Sequence, residues 1–426
     1  MGYFEEYDLD SRFKSVFTSW HPGKEDGYYH IVIDWDQRRT ISVYTPEGQH
    51  DEEFIFEALE EFMDDLPPYI ARIAVSNDLE LLSTASDRDM TKIPFYPSPA
   101  DFSPKLQVPK VYRSQMTEIE RLGLQVDHTT YEPTPGETRH VVFKYYTNEG
   151  NVSMFWREVN CTLRIPSHPN IVPLDRLVID SVTASGPEMV VGFTTPFIAG
   201  GTIADNVSRI FRLEHLRQLT TAIDYLNLSL GVAHGDISIW NLLIDPETDR
   251  LKLFDFNLCA KFGHEENRND VKLAIITVFE IITRDHRFRE EDYYADELAV
   301  STALQMEDWE QHPDVRLEEG VTVSEYRRVL DDWVQSRKQG GNKELQGSEQ
   351  APAPGAIDWP PMPEFSPVDC SGTMLRRPGQ PRRDMIKRGE PFIKWQRPPT
   401  SHLPLPAGKR LLATGEVVDD IPQATP

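Results

Sequence analysis

Val232-Ala-His-Gly-Asp-Ile-Ser-Ile-Trp-Asn-Leu-Leu-Ile244 decides the reading of this chain. Asp236 follows a His-Gly pair, and Asn241 lies five residues after it. Leu253-Phe-Asp-Phe-Asn257 then places Asp255 fourteen residues beyond Asn241. Asp245-Pro-Glu-Thr-Asp249 reads as a hairpin turn between the two stretches. An isolated His-x-Asp carries little information. Two elements at this spacing, joined by a turn, carry much more.

Working outward, His140-Val-Val-Phe-Lys144 reads as a strand that carries a lysine. Trp156-Arg-Glu158-Val and His168-Pro-Asn-Ile-Val172 follow, then Met189-Val-Val-Gly-Phe-Thr-Thr-Pro-Phe-Ile198. Leu216 to Leu226 has the spacing of an amphipathic helix leading into the Asp236 loop. Asp270 opens the apolar run Asp270-Val-Lys-Leu-Ala-Ile-Ile-Thr-Val-Phe-Glu-Ile-Ile282. In this order the segments resemble the eukaryotic protein-kinase-like superfamily, and within it kinase-like proteins of filamentous fungi. The resemblance runs from about Val111 to Lys338.

The resemblance implies an α+β fold with a β-rich small lobe and a helical large lobe, and ATP and Mg2+ as cofactors. It implies that Asp236 faces the hydroxyl to be phosphorylated, while Asn241 and Asp255 hold magnesium on the nucleotide phosphates. Lys144 grips the α- and β-phosphates and pairs with Glu158. Gly123 remains from the glycine-rich loop. Thr195 backs the adenine pocket, the backbone of Pro196, Phe197 and Ile198 meets the adenine edge, and Leu243 forms the floor. His234 and Asp270 are structural, and Trp240 lies toward the substrate.

Several positions depart from the family pattern. Leu122-Gly-Leu-Gln-Val-Asp-His-Thr-Thr-Tyr131 keeps one of the loop glycines, with Gln125 and His128 in place of the other two. Side chains there limit how closely backbone approaches phosphate. Asp127 adds a negative charge that weakens nucleotide binding unless it points away. Ser238 stands where the family has a lysine, and it offers a hydrogen bond without a charge. Gly235 stands where an arginine reads a phosphate on the activation segment. Leu258 to Asn269 contains no Ser, Thr or Tyr to carry one. The Asp-Phe-Gly glycine is Asn257, a residue that tolerates unusual backbone angles.

Composition narrows the remaining classes. The net charge of −25 over 426 residues argues against a nucleic-acid backbone as the main partner. Cys161, Cys259 and Cys370 are distant in sequence and odd in number, which argues against a disulfide framework or a zinc site. No run of about 18 apolar residues is present to span a membrane. Met1 to Glu6 lacks a secretory core, and Glu6 stands where myristoylation requires Ser or Thr. These features predict an intracellular, cytoplasmic protein, with a nuclear location as the alternative.

Residues 1–85 predict a small α+β extension. Tyr28 to Asp34 and Thr40 to Thr45 read as strands around a turn at Asp36 to Arg38. Asp51 to Leu66 reads as an acidic amphipathic helix, and Tyr69 to Leu82 as a further helix. Residues 86–110 read as a linker and 111–338 as the kinase-like domain. Residues 339–426 read as a largely disordered tail, because 15 of the 33 prolines fall between Pro352 and Pro426. Arg376-Arg377, Arg382-Arg383 and Lys387-Arg388 give that tail a basic stretch suited to self-docking or a protein partner.

Three functions fit these residues. The first is ATP-dependent phosphotransfer to Ser or Thr of a protein. The second is phosphorylation of a small hydroxylated molecule, favoured by His-Gly-Asp and the short activation segment. The third is a pseudokinase or nucleotide-binding scaffold, favoured by the altered loop.

Overall fold

A computed structural model describes residues 12–21, 27–46, 51–87, 89–102, 108–183, 185–206, 208–263, 269–290, 297–339, 355–363, 379–399 and 405–420. The protein is a mixed α+β chain with two compact units, Met1–Val152 with Asp175–Thr195 and Pro363–Pro426, and Ser153–Leu174 with Pro196–Met362.

The first unit holds two main sheets. In one, β1 (Phe13–His21), β2 (Gly27–Asp34), β3 (Arg39–Pro46), β4 (Arg72–Val75) and β5 (Leu81–Ala85) are neighbours in sequence order. Strands β3 and β4 run parallel, with helix α1 (Glu52–Phe62) in the connection between them. Asp51 caps α1 by accepting from the Glu53 N–H. Its apolar stripe, Ile55, Phe56 and Leu59, packs on Val32, Ile41 and Val43 from the sheet. The turn at Trp35 to Arg38 closes with Arg38 at a φ of 51°. Tyr69 to Leu82 is not helical: it supplies β4 and the start of β5. Ile73 and Val75 alternate into the core, and Ser76 caps the intervening turn through the N–H groups of Asp78 and Glu80.

The second sheet has the order β7-β11-β12-β10-β9-β8. Its strands are β7 (Lys110–Tyr112), β8 (Thr117–Gly123), β9 (Val126–Thr134), β10 (Glu137–Tyr145), β11 (Arg176–Asp180) and β12 (Met189–Pro196). Gly192 permits the close approach of β12 to β10: a Cβ there would lie 2.4 Å from the Phe143 ring and 2.5 Å from the Lys144 carbonyl. Residues 86–110, read as a linker, contain β6 (Lys92–Pro94) and the buried Tyr96 and Phe102.

The proline-rich stretch differs from its expected disorder where it is described. β17 (Gly379–Pro381) pairs with β6, and helix α7 (Arg382–Arg388) follows it. β18 (Lys409–Leu411) and β19 (Val417–Asp419) form a hairpin. Ile393, Trp395, Leu411, Leu412 and Ala413 are buried. A segment too poor in apolar residues to fold alone acquires order by covering a core that already exists. Arg382-Arg383 and Lys387-Arg388 lie on α7, and Arg382 pairs with Asp89. Arg376-Arg377, Cys370 and the start of the chain lie outside the described residues.

The second unit packs α2 (Val152–Thr162), α3 (Leu213–Asp224), α4 (Asp270–Thr283), α5 (Glu297–Gln305) and α6 (Val323–Gln339) with short strands. Helix α4 is buried over nearly its whole circumference, as its unbroken apolar run requires. Strands β14 (Leu242–Asp245) and β15 (Arg250–Leu253) form the hairpin anticipated at Asp245 to Asp249. Two-residue strands β13 (Val232–Ala233) and β16 (Ala260–Lys261) pair on either side of it. Residues 355–362 pack on this unit: the Ile357 N–H donates to the Leu230 carbonyl at 2.9 Å, and Trp156 Nε1 to the Pro360 carbonyl at 3.1 Å.

Candidate active site

The loop from His234 to Asn241 is held from beneath by Asp270. Its carboxylate accepts from the His234 and Gly235 N–H groups, both at 2.8 Å, and from Asn227 Nδ2 at 2.7 Å. Asn227 reaches it because α3 ends in a π-helical turn, Tyr225–Ser229, that turns this side chain inward. His234 is fully buried, with Nε2 2.9 Å from the Phe254 carbonyl. The roles implied for His234 and Asp270 as supports agree with these contacts.

Above this base, Asn241 Nδ2 donates to the Asp236 carbonyl at 2.9 Å and to Asp236 Oδ2 at 2.7 Å. The 3-10 turn Ile239–Asn241 sets that geometry, with the Asn241 N–H bonded to the Ser238 carbonyl. With Nδ2 committed, Oδ1 is the Asn241 atom left for a cation. Asp255 sits at a φ of 64°, a left-handed conformation unusual for a residue with a side chain. One carboxylate and one amide oxygen are hard donors and fit Mg2+, which keeps several waters and takes few protein ligands.

Burial pushes the Asp236 carboxyl above the ordinary range and the Asp255 charge adds to this, while His234, Asn241 and Arg289 pull the other way. Arg289 is the residue that the sequence reading missed. It sits in the helical turn Arg287–Glu290, where its Nε donates to both oxygens of the buried Glu280 at 2.9 and 3.1 Å. Its Nη2 reaches the Ile237 carbonyl at 3.4 Å. No motif marks it, because its partner Glu280 lies on α4 and only folding joins them. Ser238, read as a hydrogen-bond donor in place of lysine, is 3 % exposed.

Other predicted positions fall as follows. Glu158 is buried on α2. The backbone of Thr202 pairs with Leu243, which sets the segment after Ile198 beside β14. Leu243 is half-buried between the buried Leu242 and Ile244. Pro196 is exposed, and Phe197 and Ile198 are half-buried. Trp240 is 49 % exposed and borders a cavity of about 220 Å³ that Phe211, Ile239, His286 and Val315 also line. Cys161 and Cys259, distant in sequence, are both buried, and a hydrogen bond between them pushes the Cys161 thiol up. Of the predicted activation segment, residues 264–268 lie outside the described ones.

In the first unit, Lys144 is half-buried on β10 and Thr195 half-buried on β12. Lys144 alternates with Phe143 and Tyr145, so it projects from the opposite face of the strand. Gly123 ends β8, and the link to β9 is a tight turn in which Gln125 has a φ of 62°. Neither sterics nor backbone angle requires a glycine at 123: a Cβ there would meet nothing within 4 Å. Asp127 does point away from solvent. It is fully buried and paired with Arg38.

No family model matches the chain. Over 146 residues it is 27% identical to serine/threonine-protein kinase CHK1 of Saccharomyces cerevisiae, covering 33% of this chain and 26% of that protein. Over 64 residues it is 44% identical to the maternal embryonic leucine zipper kinase of Xenopus tropicalis, covering 15% and 9%. The same figures hold for the Xenopus laevis protein of that name. These similarities support a protein-kinase-like relationship for part of the chain, which spans about a quarter or less of the curated relatives it matches. Among the described residues no helix is long and apolar enough to cross a membrane.

Proposed function

We propose that this protein is an ATP- and Mg2+-dependent phosphotransferase of protein-kinase type, with Ser or Thr of a protein as acceptor. On this reading the six-stranded sheet belongs to the small lobe and the second unit is the large lobe. The observation that carries it is the Asn241 amide bonded to both the carbonyl and the carboxylate of Asp236, over a loop tied down by Asp270. Asp236 orients the acceptor hydroxyl and takes its proton. Asn241 and Asp255 are the residues that would hold magnesium, which would supply neutralisation of the charge on the transferring phosphoryl group. Lys144 and Glu158 serve the nucleotide phosphates, and Thr195 to Ile198 with Leu243 serve the adenine. Phosphoryl transfer relies on positioning and charge rather than covalent help from the protein, so a rigid loop is the main requirement.

A second reading, a nucleotide-binding pseudokinase, is favoured by the tight β8–β9 turn and the buried Ser238. One measurement separates the two. Purified protein is incubated with labelled ATP and magnesium, beside Asp236→Asn, and phosphate transfer to protein and to water is followed. Transfer that disappears in the variant supports the enzyme. Equal signals in both overturn it.

A further inference from the structure

We propose that Arg397 is a positioning residue for the β8–β9 hairpin, acting through Glu118 and Asp127, so that the C-terminal segment sets the geometry of the nucleotide-binding loop. This rests on the reading above, in which that hairpin faces the nucleotide.

Two arginine and two acidic side chains meet inside the first unit. Arg397 binds Glu118 on β8 and lies 3.8 Å from Asp127 on β9. Arg38, from the β2–β3 turn, reaches the same Glu118 at 2.9 Å and the same Asp127. Side chains of all four are at most 3 % exposed. Buried charges persist only where opposite charge and hydrogen bonds replace water. Here Glu118 and Asp127 each face Arg38 and Arg397, which come from distant parts of the chain, and the charge of Arg121 also acts on Asp127.

The arginines are themselves fixed. Arg397 donates through Nε to the Asp36 carbonyl at 2.6 Å and through its backbone N–H to the Gln37 carbonyl at 3.1 Å. Arg38 is held at a positive φ and donates to Tyr145 Oη at 3.0 Å and to the Ala413 carbonyl at 2.9 Å. Trp395 stacks on Tyr145 with centroids 4.9 Å apart, and Arg113 lies 4.2 Å over the Trp395 ring.

The cluster reaches the nucleotide side at two points. Tyr145 follows Lys144, and its N–H donates to the carbonyl of Gln125 in the hairpin turn at 3.0 Å. Asp127 is two residues beyond that turn. The chain therefore replaces a mobile glycine loop with a hairpin anchored from its buried face. Loosening the anchor reduces the fraction of molecules with the hairpin in its binding pose, and apparent affinity falls in proportion.

The test uses the full-length chain with Arg397→Met and Arg397→Lys, the second kept in case the first does not fold. Ile55→Ala, on the core-facing stripe of α1, serves as a matched loss of stability elsewhere. Amide hydrogen exchange is followed over residues 118–131, together with KM and kcat for MgATP. Loss of protection there in the Arg397 variants, with KM raised about tenfold and kcat within about twofold, is expected. Arg397→Lys should recover part of it, and Ile55→Ala should leave KM unchanged. Unaltered protection or an unaltered KM in a folded Arg397 variant overturns the proposal. A wild-type chain that binds no MgATP, while the Arg397 variants still lose protection, identifies the reading of the site as the failure instead.

Discussion

Asn241 Nδ2 lies 2.9 Å from the Asp236 carbonyl and 2.7 Å from Asp236 Oδ2, so one amide fixes both the backbone and the carboxylate of the proposed base. The two residues are five apart in sequence, yet the contact depends on the 3-10 turn between them.

The Asp236 environment predicts the acid limb of activity. Burial and then the Asp255 charge raise its pKa. A base works only when deprotonated, so activity is lost as pH falls through a value above the usual carboxylate range. For stability the sign is different. A raised carboxyl binds its proton more tightly in the fold than in the unfolded chain, so its ionised form costs stability above that pKa. The fold recovers this as pH falls through the raised value. Asn241→Ala removes a bond that favours the anion and should move the acid limb of kcat/KM for MgATP further up. Asp255→Asn removes a like charge and should move it down in any residual activity. A limb at the position of a free carboxylate would contradict this account.

Asp270→Ala should be strongly destabilising. It leaves the His234 and Gly235 N–H groups buried without their acceptor, and Asn227 Nδ2 with the Val232 carbonyl alone. Losses of about 1–3 kcal/mol accompany each buried group left unsatisfied, and shared relaxation brings the total to about 3–5 kcal/mol. Urea unfolding checks this. Asp270→Asn retains one acceptor and should fall between wild type and alanine.

MgATP should raise the melting temperature by mass action, and weakly for a kinase. The β8–β9 turn is tight, and Gln125 supplies the positive φ that a glycine loop would spread over several residues. A shift should require millimolar MgATP and should vanish in Asp255→Ala. Differential scanning fluorimetry reads both. A full shift in Asp255→Ala would remove Asp255 from the metal site.

The parts of the fold set by local pattern were legible. Two strands flank the turn at Asp36 to Arg38, α1 follows its apolar stripe, and the Asp245 to Asp249 turn joins β14 and β15 as its composition requires. The run from Tyr69 to Leu82 misled because its apolar residues, spaced for a helix, serve equally well in β4, where Ile73 and Val75 enter the core, while Leu81 and Leu82 of β5 stay exposed. Contacts between segments distant in sequence left no local mark. Arg289 has no motif, and its value arises only once Glu280 is buried beside it. Asp127 read as an unfavourable charge near phosphate. The Arg38 that neutralises it lies 89 residues away. The proline-rich tail could not show from composition that Trp395 would find Tyr145 and Arg113 already in place.

Ending the chain at Met362 tests that last relationship on the scale of the whole first unit. The truncation removes Arg397 from Glu118 and Asp127, and Trp395 from Tyr145 and Arg113. It also removes Leu412 and Ala413 from beside Thr117 and Met116. Breaking a buried ion pair by deleting one partner costs about 3–5 kcal/mol, before lost apolar cover is counted. For a unit of this size that lowers the melting temperature by about 10 °C or more. Hydrogen exchange should rise first in β8 and β9, because their buried acids lose a cation while the packing of α1 on its sheet is untouched. A truncated chain with the melting temperature and hairpin protection of the full protein would show that the segment decorates this unit without supporting it.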